Sequence, residues 1–151
     1  SIDELIRGQK ILFCEDSIVR GTQLKDNVDY LFEEHGAQEV HMRPACPPLI
    51  YGCQFLNFSR SKNENELAAR RAIENLHRRG PKHELERYAD DTTEQYVQMR
   101  EEIERELGLT TLRYQRLGKM VEAIGLPKTD LCTHCWDGCS AGMCSDKLYT
   151  L

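Results

Sequence analysis

Residues 11–22 read ILFCEDSIVRGT, and the reading of this stretch decides the fold. Ile11, Leu12, Phe13 and Cys14 are an apolar run too short and too bounded for a helix, so they read as a fully buried strand. Glu15 and Asp16 follow at its carboxyl end, where adjacent carboxylates repel and need a cationic or hydroxyl-rich counterpart. From Thr22 the apolar residues Leu24, Val28, Leu31 and Phe32 recur at helical spacing, and Gly36 stops the run. Glu39–Arg43 (EVHMR) then alternates, with Val40 and Met42 on one side, as a second short strand. Strand, helix and strand at these lengths make a βαβ unit with parallel strands. The fold class is α/β.

The loop between strand and helix carries the chemistry. A helix N-terminus presents unpaired N–H groups and the positive end of its dipole. With Gly21 flexible and Ser17 and Thr22 adding hydroxyls, residues 17–22 can wrap a tetrahedral anion as a phosphate cradle. Glu15 and Asp16, one step earlier, face the crevice at the strand's carboxyl end, where ligands bind in open α/β sheets. Carboxylates there hold sugar hydroxyls, directly or through hydrated Mg2+. A phosphate grip beside a diol grip describes a ribose 5-phosphate site. The competing reading makes Glu15-Asp16-Ser17 a helix-capping cluster with Arg20 as its ion-pair partner.

After Pro44, Pro47 and Pro48 the chain changes character. Ser61-Lys62-Asn63-Glu64 is a capping box for a helix carrying Leu67, Ala68, Ile73 and Leu76, ended by Gly80-Pro81. A further helix spans about Thr93 to Leu107, with Tyr96, Met99, Ile103 and Leu107 on one stripe and Glu101/Arg105 as an exposed pair. Another places Tyr114, Leu117, Val121 and Ile124 inward and stops at Gly125-Leu126-Pro127. The chain divides into a βαβ segment (1–58), a helical region (59–128) and a cysteine-rich tail (129–151). No strand is expected after residue 43. Two parallel strands are too few for a stable sheet, so the chain is expected to be part of something larger, with an exposed edge that invites association.

The bulk numbers narrow the classes. The chain has 151 residues, 40% hydrophobic and 30% charged, with a net charge of −5. Its acidic balance gives no reason to expect nucleic acid or an anionic membrane as partner. No apolar stretch approaches the roughly 20 residues of a membrane span, and no secretory leader is visible. Seven cysteines are many, and an odd number cannot all pair internally. Cys132-x-x-Cys135, with His134, Cys139 and Cys144 nearby, points to metal or redox chemistry in a reducing, cytoplasmic compartment. Cys14 and Cys46 read as small buried hydrophobes. Four nearby thiolates could also make a tetrahedral zinc site.

ILFCEDSIVRGT resembles the phosphoribosyl pyrophosphate (PRPP) motif of type I phosphoribosyltransferases, and DSIVRGT resembles the wording of the glutamine PRPP amidotransferase family within them. GAQEVHMRPACPPLIYGCQF (36–55) and LCTHCWDG (131–138) are similar to that family too. The resemblance is tight over about residues 9–58 and returns around 117–138. It implies a partial type I phosphoribosyltransferase fold followed by a helical region and a Cys-rich tail. It implies that Glu15 and Asp16 hold the ribose hydroxyls and the Mg2+ of PRPP. Ser17, Ile18, Val19, Arg20, Gly21 and Thr22 would hold the 5-phosphate. Cys53, Cys132 and Cys135 would supply three ligands of a 4Fe–4S cluster. The family commonly has Asp at the position of Glu15 and a second Thr at that of Gln23. Its members make 5-phosphoribosylamine from PRPP and glutamine, the first step of purine synthesis, and are inhibited by nucleoside monophosphates. They begin with a glutaminase domain whose first residue is cysteine, whereas this chain begins with Ser1. The chain is therefore expected to be a C-terminal piece, with glutaminase and pyrophosphate loop upstream, no catalytic residue of its own, no activity alone, and a homo-oligomeric state. The rival expectations are a non-catalytic phosphoribosyl-binding module and a zinc-held helical interaction protein.

Overall fold

The structure is a computed structural model that describes residues 2–53, 55 and 64–139. A short helix, α1 (Ile2–Ile6), ends at Gly8 and leads into β1 (Lys10–Glu15), α2 (Thr22–Glu33) and β2 (Glu39–Pro44). β1 and β2 pair in parallel from Lys10↔Glu39 to Glu15↔Pro44, so the βαβ unit forms where the pattern placed it.

A third strand corrects the expectation of none after residue 43. β3 (Thr111–Leu112) pairs in parallel with β2, through His41↔Thr111 and Met42↔Leu112, giving the order β1-β2-β3. Its hydrogen bonding runs further than its two regular residues. The amides of Thr110, Arg113 and Gln115 donate to the carbonyls of Val40, Met42 and Pro44 at 2.8, 3.2 and 3.2 Å. Two residues are too few for an alternating pattern, so nothing local marked the strand.

The first strand also differs from its expectation as fully buried. Along β1 exposure alternates: Ile11 and Phe13 pack on the core, while Leu12 is 60% exposed and Cys14 faces out. Among the described residues β1 is an edge strand, covered on one face. Cys14 is thus not a buried hydrophobe, whereas Cys46 is buried, and burial pushes its thiol pKa up.

The capping box lies largely outside the described residues. A 3-10 turn (Glu64–Glu66) and the fully buried Leu67 introduce α3 (Ala68–Arg79). α4 (Leu85–Ala89) was not anticipated; α5 (Glu94–Glu106) was. The Thr93 hydroxyl accepts from the Tyr96 amide at 3.1 Å, which starts α5. The core joins Val28 and Leu31 of α2, Val40 and Met42 of β2, Ala68, Ala69, Ala72 and Ile73 of α3, and Met99 and Ile103 of α5. Each large side chain buried there contributes about 1.5–3 kcal/mol of transfer free energy. Arg105 pairs with Glu102 rather than with Glu101, at 2.6 Å, and Arg79 reaches the same buried carboxylate at 2.6 Å. Desolvation works against that carboxylate's charge, but the two guanidiniums prevail and its pKa is lowered.

α6 (Leu117–Ile124) ends on Gly125 as expected, but Ile124 is half exposed and only Leu117 is fully packed. A 3-10 turn (Lys128–Asp130) and α7 (His134–Asp137) complete the described chain. Among the described residues no helix is long and apolar enough to cross a membrane.

Candidate functional site

β1 delivers Glu15 and Asp16 to the carboxyl end of the sheet, and the chain then loops to the start of α2. Ile18 anchors that loop with its side chain 4% exposed, and Gly21 turns it with φ +77° into the helix. An alanine Cβ at Gly21 would stand 2.9 Å from Leu107 Cδ2, so the end of α5 packs directly under the turn. α2 has no side-chain cap. Its first-turn amides are left for water or an anion.

All eight residues singled out in the sequence, Glu15, Asp16, Ser17, Ile18, Val19, Arg20, Gly21 and Thr22, line one crevice of about 660 Å3. Gln23, Leu24 and Asn27 complete its wall. Asn27 was missed, although it stands one helical turn after Gln23 and so shares its face. Asp16 Oδ1 accepts from the Ser17 amide at 2.7 Å. Arg20 does not compensate the acid pair: its Nε lies 3.1 Å from Glu66 Oε2. Among the described residues neither Glu15 nor Asp16 has a cationic partner, and both are exposed. Two exposed carboxylates without a cationic counterpart at a crevice mouth suit Mg2+, which keeps several waters and takes one or two protein oxygens beside phosphate.

Residues 129–139 of the tail are docked by their backbone. The amides of Ile50 and Tyr51 both donate to the Cys135 carbonyl, at 2.9 and 3.0 Å, and the Tyr51 ring lies 5.7 Å from that of His134. Lys128 pairs with Asp137 at 2.8 Å. This brings the Cys53 segment beside the C-x-x-C turn. Cys132 is an exposed free thiol, whereas Cys139 is disulfide-bonded and so withdrawn as a metal ligand. Among the described residues no three His, Cys, Asp or Glu side chains gather closely enough to hold a metal ion. The arrangement seen does not present a formed cluster site, which needs four ligands.

No family model matches the sequence. The chain is 34% identical over 138 residues to the amidophosphoribosyltransferase of Mycobacterium tuberculosis, covering 91% of this chain and 21% of that protein. It is 29% identical over 133 residues to that of Methanothermobacter thermautotrophicus, covering 88% and 22%. Among solved structures, it is similar to the B. subtilis glutamine PRPP amidotransferase complexed with ADP and GMP. That match has a TM-score of 0.65 and 24% identity, and covers 99% of this chain and 27% of the other. The chain thus spans about a fifth of the length of the curated relatives it matches.

Proposed function

The chain belongs to the amidophosphoribosyltransferase family, matching one segment of it, and from that premise we propose that the crevice at residues 15–22 is a ribose 5-phosphate and Mg2+ half-site. It would serve a glycosyltransferase that makes 5-phosphoribosylamine from PRPP and glutamine. The observation that carries the reading is the convergence of the eight loop residues on one crevice, with two exposed carboxylates at its mouth that have no cationic partner among the described residues. Glu15 and Asp16 would take the ribose hydroxyls and, through water, Mg2+. Ser17 to Thr22 and the uncapped start of α2 would take the phosphate. Bound Mg2+ would supply charge neutralisation to the departing pyrophosphate.

Nucleoside monophosphates present the same phosphate on the same sugar, so they would compete for this loop. Residues 1–58 would hold the ligand, 59–128 would support the loop, and 129–151 would carry the metal. A 4Fe–4S cluster on Cys53, Cys132 and Cys135, with zinc as its competitor, is supported by the docking of residues 50–51 on Cys135, which brings the Cys53 segment to the C-x-x-C turn. The free thiols of Cys14, Cys46 and Cys132 favour a reducing, cytoplasmic setting, although Cys139 is disulfide-bonded. A glutaminase domain in the same protein and association between copies complete the proposal.

The test is a thermal-shift titration with ribose 5-phosphate and Mg2+ on wild type and Asp16→Asn. A ligand at ~100 times its dissociation constant adds about 2.7 kcal/mol, which the wild type should show and the variant should lose. Equal shifts in both proteins would remove Asp16 from the site.

A further inference from the structure

Arg71 on α3 lies outside the crevice and outside every motif that pointed to it, yet it reaches the crevice's own backbone. Its Nη2 donates to the Arg20 carbonyl at 2.8 Å and its Nη1 to the Glu66 carbonyl at 2.8 Å. Its Nε donates to Glu106 Oε1 at 2.8 Å, so the end of α5 holds the guanidinium in place. One residue earlier in the loop, the Val19 carbonyl accepts from the Ala68 amide at 2.8 Å. α3 therefore grips two consecutive carbonyls of the loop.

In a planar trans peptide the C=O and the next N–H point in opposite directions. Anchoring the Val19 and Arg20 carbonyls on α3 turns the Arg20 and Gly21 amides away from it. Neither amide donates to a protein acceptor among the described residues. Two adjacent amides held in one direction are an anion-binding concavity, and holding them beforehand removes the cost of ordering them on binding. The planar fork of an arginine can tie three segments at once, which a lysine ammonium does less well.

We propose that Arg71, braced by Glu106, is a positioning residue that fixes residues 18–22 in the conformation that receives the 5-phosphate. The helical region thereby sets ligand affinity without touching the ligand. This rests on the ribose 5-phosphate reading of the crevice. The experiment compares wild type, Arg71→Ala, Arg71→Lys and Glu106→Gln by amide hydrogen exchange, and by calorimetric titration with ribose 5-phosphate and Mg2+. Arg71→Ala should speed exchange at residues 18–22 selectively over β2 and weaken binding about tenfold, the scale of one lost charge-assisted hydrogen bond. Arg71→Lys should recover part of both, and Glu106→Gln should fall between it and wild type. Should Arg71→Ala fail to fold, the other two variants carry the same comparison. Loop exchange unchanged from wild type, or a rise equal in β2, overturns the clamp. A wild type that binds no ribose 5-phosphate refutes the ligand reading instead, and leaves the exchange result to judge the clamp.

Discussion

Gly21 bears two constraints at once. Its φ of +77° lies where L side chains are strained, and a Cβ there would press on Leu107, which is 1% exposed. Gly21→Ala should cost about 2 kcal/mol from these two sources, read as a lowered midpoint in urea unfolding. Adding Leu107→Ala should relieve the contact, so the double variant should lose less than the sum of the singles. Strict additivity would show that the close approach is immaterial. Gly21 was legible as the pivot of the loop, because a hydroxyl-rich turn before a helix needs such a residue. Its neighbour Leu107 was legible only as a core residue of its own helix. That the two meet depends on how α5 lies under the loop, which no local pattern encodes.

At the scale of elements, the two edges of the sheet are treated differently. The outer side of β3 is closed by α5: the Leu112 amide donates to Glu104 Oε2 at 2.7 Å, and the Leu112 carbonyl accepts from Arg100 Nη1 at 3.3 Å. Arg100 also pairs with Glu104 at 3.1 Å, so one ion pair stands in for a neighbouring strand. Glu104→Ala should destabilise the protein by about 2 kcal/mol, because the Leu112 amide loses a charged acceptor in a half-buried setting. The Leu112 amide should lose its exchange protection in that variant while those of β2 keep theirs. Retained protection at Leu112 would mean that the carboxylate does not close this edge. The helix α5 was legible to within a residue at its start, from the stripe of Tyr96, Met99 and Ile103, and its cap on Thr93 emerged only in the structure. β3 was not, since its two residues are a strand only because β2 offers them hydrogen bonds.

For the molecule as a whole, β1 is the open side. Its outer edge has no strand partner among the described residues, and Leu12 stands 60% exposed on the face opposite the core. Parallel sheets are ordinarily covered on both faces, and an uncovered apolar edge pairs readily with another copy. The chain should therefore show a mass above the monomer in light scattering, lowered by Leu12→Lys. A monomeric wild type at working concentrations would refute this.

The sequence by itself determined the βαβ unit, the helices with strong stripes, and the eight residues of the loop. Those features rest on spacing within about twenty residues, where periodicity and turn chemistry act. Only the tertiary structure decided that β1 is an edge, that a third strand follows residue 43, and that Arg20 turns to Glu66 rather than to the acid pair. It also decided that Arg71 reaches the loop from 51 positions away. Each of these depends on which distant segment arrives alongside, and that is settled by burial of the whole core rather than by any single stretch of chain.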